Sequence, residues 1–121
     1  MHTKQGVNVH IYSARFSSES DAMSFVDPAY SVDGDANSLL WDDLGSRVDN
    51  DFVETVFGDS RYPYLESILI DGKVSDEIRA LDNVDNNTFI LVYGIERNST
   101  LTPNRKSQRI RYLASFPVNL T

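Results

Sequence analysis

Four segments of the chain have the spacing of apolar residues that is typical of β-strands: residues 7–16, 52–57, 88–95 and 109–118. In the first segment Val7, Val9 and Ile11 alternate with polar neighbours, a pattern that indicates a strand with one buried face. The third segment is apolar from Phe89 to Tyr93 without such alternation. Because a strand inside a sheet can be buried on both faces, this segment is predicted to be a central strand.

The last of these segments is amphipathic. Its polar side carries Arg109 and Arg111, and Leu113 interrupts that side. Alternate positions along a strand share a face. One apolar face is therefore predicted from Ile110, Tyr112, Ala114, Phe116 and Val118.

Helical segments lie between the predicted strands. Ser18 is placed to accept a hydrogen bond from the backbone N–H of Asp21 at the start of the first helix, and a proline ends that helix. A short helix is predicted over residues 39–45, where a glycine is a common helix end. Two further helices are predicted, one with Pro63 in its first turn and one that begins at residues 75–77.

The order of these elements predicts an α+β fold. Residues 1–121 are expected to form a single domain, because that length suffices for one hydrophobic core. We expect a roughly four-stranded, mostly antiparallel sheet with the helices packed on one face. Residues 30–38 contain Asp33-Gly34-Asp35 and are predicted to be an exposed loop.

The composition is that of an ordinary globular protein, with 40% hydrophobic and 24% charged residues. The absence of cysteine excludes disulfides and thiolate chemistry. The longest apolar run is strand-sized, far below the roughly 18 residues of a membrane span, and no apolar signal region follows the N-terminus. The sequence therefore predicts a cytoplasmic domain that does not bind membranes.

Charge is distributed unevenly along the chain. Residues 19–59, which we call the acidic segment, contain eleven carboxylates and one basic residue, Arg47. Residues 96–121 carry five basic residues and one acid, whereas the whole chain has a net charge of −7. Nucleic acids and anionic membranes are polyanions, so direct binding to either is not expected. The basic cluster at residues 105–111 is better explained as protection of an edge strand against aggregation.

No motif for catalysis or metal binding is complete. A calcium-binding loop that starts at Asp49 lacks the glycine required at position 6 and the glutamate required at position 12. Asp42 and Asp43 are adjacent and diverge if they are helical, so they form no convergent pair of acids. His10 has no serine or cysteine motif to activate and is expected to be a packed strand residue. We therefore expect no catalytic residue, metal or cofactor.

The acidic segment is the candidate binding surface. A dense acidic face complements a basic protein such as a nuclease, and this complementarity raises the rate of association. Tyr30 and Trp41, if exposed, supply the aromatic side chains that dominate protein interfaces. The predicted partner-binding residues are Tyr30, Asp33, Asp35, Trp41, Asp42, Asp43, Asp49, Asp51 and Glu54.

Four short stretches resemble one protein family. They are residues 7–11 (Val-Asn-Val-His-Ile), the serine-rich helix start at 17–21, the spacing of Phe25 and Tyr30, and residues 49–54 (Asp-Asn-Asp-Phe-Val-Glu). Over residues 7–93 the chain resembles the immunity protein 22 family of bacterial polymorphic toxin and contact-dependent growth inhibition systems. The resemblance implies a small α+β antitoxin that binds and neutralises one cognate toxin domain, often a nuclease, in the cytoplasm of the producing cell.

Two other functions are compatible with the sequence. An acidic module of another class, such as a DNA-mimicking regulator, would bind several unrelated basic proteins. A small enzyme with a carboxylate site would have a deep pocket that holds two convergent acids.

Overall fold

The computed structural model describes residues 8–30, 32–44, 52–68, 74–82, 85–94 and 109–117. Its elements, in chain order, are β1 (Asn8–Ala14), α1 (Glu19–Val26), β2 (Ala29–Tyr30), β3 (Ala36–Asn37), α2 (Leu39–Leu44), β4 (Val53–Phe57), α3 (Arg61–Ile68), α4 (Val74–Leu81), β5 (Thr88–Gly94) and β6 (Ile110–Pro117). One turn of 3₁₀ helix, Gly58–Ser60, leads into α3.

The main sheet has the strand order β4–β5–β1–β6, and each neighbouring pair is antiparallel. This confirms the predicted α+β class and the predicted four-stranded antiparallel sheet. It also confirms that β5 is an interior strand and that the basic C-terminal strand, β6, is at an edge. Arg111 is exposed on that edge strand, where a charged side chain disfavours pairing with another sheet.

Helices cover both faces of the sheet, so the prediction that they pack on one face is wrong. α1 and α2 pack on the face that carries Tyr12 and Ile90, which we call the first face. α3 and α4 pack on the opposite, second face, which carries Ile11 and Phe89. The alternation in β1 was misleading because its polar positions are also buried: His10 is only 5% exposed and Tyr12 is fully buried. Both sides of β1 therefore need a covering layer.

A β-bulge in β6 explains why its predicted apolar face is only partly correct. Tyr112 is opposite Tyr12, but Ala114 is opposite Ile11, so Leu113 is an extra residue in β6. An extra residue changes which side of the sheet the following side chains occupy. Ile110 and Tyr112 pack on the first face, whereas Leu113 and Phe116 pack on the second face. Val118 lies outside the described residues.

Helix α1 forms where its capping residue and apolar spacing predict it. Ser18 accepts a hydrogen bond from the Asp21 N–H at 3.1 Å, as expected for an N-cap serine. Ala22, Phe25 and Val26 recur at helical spacing, and all three are buried on the first face. Burial of these three side chains fixes the position of the C-terminal end of α1. The next segment of the chain turns back beside that end.

Residues 30–38, predicted to be a loop, contain a small two-stranded sheet. β2 and β3 pair antiparallel, with Ala29 opposite Asn37 and Tyr30 opposite Ala36. The connecting turn includes Gly34 at a φ of +85°, a backbone conformation that glycine adopts without a steric penalty. We call residues 29–37 the hairpin. It lies between α1 and α2 in the chain and lines a cleft together with both helices.

Because the second face is buried, replacing a single helix residue on it is predicted to change the free energy of unfolding strongly. Ile78 is fully buried on α4, and its replacement by alanine should lower the free energy of unfolding by about 2–5 kcal/mol, because the deletion leaves a cavity. The matched control is Leu81→Ala on the same helix, since Leu81 is 43% exposed, and it should cost less than about 1 kcal/mol. Urea denaturation at neutral pH measures both values. Equal and small effects would contradict a packed second face.

Candidate functional site

An open cleft lies between α1, the hairpin and the start of α2. Its volume is about 390 Å³, near the lower end of the roughly 300–1,000 Å³ typical of ligand sites. All the residues that line it are exposed to solvent. They are Ser24, Asp27, Ala29, Tyr30, Asp35, Asn37 and Leu39. The cleft therefore resembles a notch in a binding surface more than an enclosed chamber for a substrate.

Ser38 connects the three elements that form the walls of this cleft. It is buried, and its hydroxyl donates a 2.8 Å hydrogen bond to the backbone carbonyl of Val26 at the end of α1. The same oxygen accepts from the Leu40 N–H at 3.1 Å, and the Ser38 carbonyl accepts from the Asp42 N–H. Ser38 is thus the N-cap of α2. One side chain sets the position of α2 against the end of α1 and the last residue of the hairpin.

Large apolar side chains are exposed around the cleft. Tyr30 is 73% exposed and Leu39 is 58% exposed, while Val32, in the turn of the hairpin, is exposed over its whole surface. Exposure of one such residue is ordinary, but a group of them together often marks a site of interaction. The apolar part of the surface is thus located where the hairpin meets α2.

Carboxylates surround the same apolar residues. Asp27 and Asp35 line the cleft, and Asp33 is exposed in the turn of the hairpin. Asp42 accepts a 3.2 Å hydrogen bond from Asn37 Nδ2, which places it beside the cleft wall. The described part of the acidic segment contains no lysine or arginine, so the attraction of this surface for cations is not offset within that segment.

The structure brings together four of the residues predicted from the sequence: Tyr30, Asp33, Asp35 and Asp42. Trp41 is not available as an exposed aromatic side chain, because it is 8% exposed and belongs to the core. Its neighbour Asp43 is half-buried. An amphipathic helix of only six residues buries part of its surface, and α2 buries Trp41 together with Leu40 and Leu44. Asp49 and Asp51 lie outside the described residues.

Glu54 lies on the other side of the sheet from the cleft, so it does not extend the same surface. Its carboxylate accepts hydrogen bonds from the hydroxyl of Tyr64 on α3, at 2.5 Å, and from that of Tyr93 on β5. Burial, followed by the hydrogen bond to Glu54, raises the pKa of both phenols, which therefore stay protonated and donate at neutral pH. Glu54 joins β4, β5 and α3 on the second face.

Of the residues that line the cleft, sequence reasoning named Tyr30 and Asp35 and missed the others, among them Asp27 and Leu39. Asp27 was counted only among the carboxylates of the acidic segment, and Leu39 was assigned to a helix without a face. A signal for Leu39 was present, because Leu39 and Trp41 lie about 200° apart around a helix and only one of the two can face the core. Which of the two is exposed is decided by the contacts of α2 with α1.

A buried polar network on the second face has a structural role. Ser13 donates to Asp82, Tyr62 donates to the same carboxylate at 2.9 Å, and an Arg61 nitrogen lies 3.6 Å from it. Burial, reinforced by the hydrogen bond to Asp82, raises the pKa of Tyr62 to about 12, so it donates a proton to the bond at neutral pH. Asp82 follows α4, Ser13 is in β1 and the other two residues are in α3. The network therefore attaches both helices to the central strand.

His10, the described histidine, is buried in β1. Its Nδ1 lies 3.4 Å from the hydroxyl of Tyr112 in β6, and the two rings are in contact. Burial lowers the pKa of His10, because the charged imidazolium loses hydration that its surroundings do not replace. The expectation of a packed strand residue is confirmed.

Within the described ranges no group of three or more histidine, aspartate or glutamate side chains is arranged to hold a metal ion. None of the described helices has the length and apolarity that crossing a membrane requires. In comparisons with known proteins, the chain matches no family model, no curated protein and no solved structure.

The burial of His10 predicts how stability depends on pH. The unfolded chain binds a proton near the ordinary histidine pKa of 6.5, whereas folded His10 remains neutral to lower pH. The contribution of His10 is complete above pH 6.5 and is lost as the pH falls below it, because the unfolded state then binds the extra proton. The free energy of unfolding, measured in urea from pH 7 to pH 5, should decrease less in His10→Gln than in the parent chain.

Both chains in that comparison carry His2→Gln, so that His10 is the single histidine that titrates in the parent. Carboxylates also contribute to the pH dependence, but they are the same in both chains and cancel in the difference. If the free energy of unfolding depends on pH with the same slope in the two chains, the pKa of His10 does not change on folding.

Proposed function

We propose that this chain is an antitoxin, an immunity protein that binds a basic toxin domain through the surface formed by the cleft and the hairpin. Its action is to occupy the partner and not to transform a substrate. The partner is a protein, and the basic character expected of it fits a nuclease, since a nuclease binds a polyanion with its own cationic cleft.

One observation carries this proposal: exposed apolar side chains and exposed carboxylates are located together where the hairpin meets α2. Tyr30 and Leu39 offer the apolar area that a tight interface needs at its centre. Asp33 and Asp35 flank them. The long-range attraction of the acids accelerates encounter, and burial of the apolar groups slows dissociation.

The remaining polar clusters support a role in binding over one in catalysis. Ser13, Asp82 and Tyr62 form a network that is already internally hydrogen-bonded and faces the packed helices α3 and α4. Glu54 is held by two tyrosines. A catalytic site requires a group that can reach a substrate with its donor or acceptor unused, whereas the carboxylates of both clusters already accept hydrogen bonds within the fold.

The toxin partner and the cytoplasm of the producing cell are suggested by the resemblance of residues 7–93 to immunity proteins of polymorphic toxin systems. The antitoxin role agrees with a chain that presents one acidic binding surface. A DNA-mimicking regulator has the same charge but differs in its partners, which are several unrelated basic proteins. The experiment below separates the two.

The test is affinity capture from a native lysate with this chain as bait, followed by the binding kinetics of the purified partner with the wild type and its variants. The wild type should retain one basic protein in stoichiometric amount, and the purified partner should lose its toxic activity when it is mixed with the bait. Asp33→Lys/Asp35→Lys should slow association about tenfold or more at low salt, and the difference should shrink at high salt because exposed charges are screened.

The matched control is Asp59→Lys/Glu77→Lys, which makes the same change in charge at two exposed acids on the side of α3 and α4. It should associate nearly as fast as the wild type. Tyr30→Ala should increase the dissociation rate, with a loss of binding free energy of about 2 kcal/mol or more, whereas Leu81→Ala should not. The antitoxin proposal would be refuted if the wild type and both charge variants captured many basic proteins equally well and modest salt released all of them.

A further inference from the structure

We infer that the cleft between α1, the hairpin and α2 receives one arginine side chain of the partner protein. This inference rests on the proposed function, because it names the chemical group that the same surface binds. The cleft combines an apolar wall, an exposed aromatic ring and two carboxylates within about 390 Å³. Each of these three features matches a different part of an arginine side chain.

The size and openness of the cleft favour a side chain over a free small molecule. Tight sites for small ligands usually enclose most of the ligand surface. Here every lining residue is exposed, so a free ligand would keep much of its surface in water. A side chain that projects from a docked protein loses its remaining hydration to the surrounding interface. The occupant is therefore expected to arrive attached to a larger surface.

The apolar wall suits the aliphatic part of a long cationic side chain. Leu39 is exposed over more than half of its surface, and Ala29 and Tyr30 line the same cleft. Long cationic side chains bury their methylene groups against such surfaces and keep the charged group hydrated or paired. Leu39 and Tyr30 would lose contact with water without burying a charge.

The charged end of the cleft favours arginine over lysine. Asp27 and Asp35 both line the cleft, and a planar guanidinium can bond to carboxylates through several N–H groups while it stacks on the ring of Tyr30. A lysine ammonium is more strongly hydrated and has no planar face to stack. Arginine therefore gains more from this combination of groups.

The protein makes the same kind of contact within its own fold. The guanidinium of Arg61 lies beside the carboxylate of Asp82 and 4.9 Å from the centre of the Phe89 ring. The guanidinium of Arg79 lies 3.8 Å from the centre of the Tyr62 ring. On the second face, an arginine thus lies beside both a carboxylate and an aromatic ring. The cleft presents the same two groups without a described arginine among its lining residues.

The test is a titration with Nα-acetyl-arginine methylamide, followed by the chemical shifts of the backbone amides of the ¹⁵N-labelled full chain. Saturable shifts are expected at Ala29, Tyr30, Asn37 and Leu39, with a dissociation constant in the millimolar range that is typical of so small a fragment. The corresponding citrulline derivative has nearly the same shape without the charge. It and the lysine derivative should each bind at least about fivefold more weakly.

Two variants identify the groups that bind the probe. Asp27→Asn/Asp35→Asn should weaken binding of the arginine derivative at least about tenfold, whereas the control Asp59→Asn/Glu77→Gln should change it less than about twofold, since it alters only the general field of the protein. Amide replacements of exposed acids preserve side-chain shape, and far-UV circular dichroism checks that both variants are folded.

The inference is overturned if the shifts do not saturate, if citrulline or lysine binds as well as arginine, or if the control variant weakens binding as much as the cleft variant. These outcomes are distinct from a failure of the proposed function. If binding of a captured toxin depends on Asp33 and Asp35 but the cleft does not bind the arginine derivative, this inference alone is removed. Arginine binding in the cleft without any captured partner would leave the preference of the cleft for arginine standing and remove the antitoxin proposal.

Discussion

The burial of β1 on both of its faces is the constraint on which the rest of the structure depends. β1 pairs with β5 on one side and β6 on the other, and its side chains from Val9 to Ala14 are all buried. A strand buried on both faces needs a layer of helices above and below it, since a loop could not cover so large an apolar area. The pairs α1–α2 and α3–α4 provide these two layers.

The two layers of helices differ in how their carboxylates are used. On the second face, hydrogen bonds to Asp82 and Glu54 attach α3 and α4 to the sheet, and these carboxylates are thereby used within the fold. On the first face, Ser38, the residue after the hairpin, attaches the start of α2 to the end of α1. Carboxylates there are exposed, and they remain available to a partner. The difference arises from packing, because both layers are rich in acids.

The interface that we propose on the hairpin combines two effects that act at different stages of binding. Exposed carboxylates act over roughly 10 Å at moderate salt and guide a basic partner towards the surface. Tyr30 and Leu39 act only on contact, when their apolar area is removed from water. The packed helices beneath hold the ends of the hairpin in place, which lowers the entropic cost of ordering the site. Fast association and slow dissociation are the properties that the proposed inhibitor requires.

The sequence by itself determined the class of fold, the position of each major strand and helix, the cap at Ser18 and the acidic character of the chain. These follow from local spacing, capping residues and charge, which act between near neighbours. Only the tertiary structure decided that helices cover both faces, that Leu113 is a bulge, that Trp41 is buried, and that Glu54 and Tyr30 lie on opposite sides. Each of these depends on which strand or helix lies opposite a residue, and contacts between residues that are distant in sequence are not encoded in any local pattern.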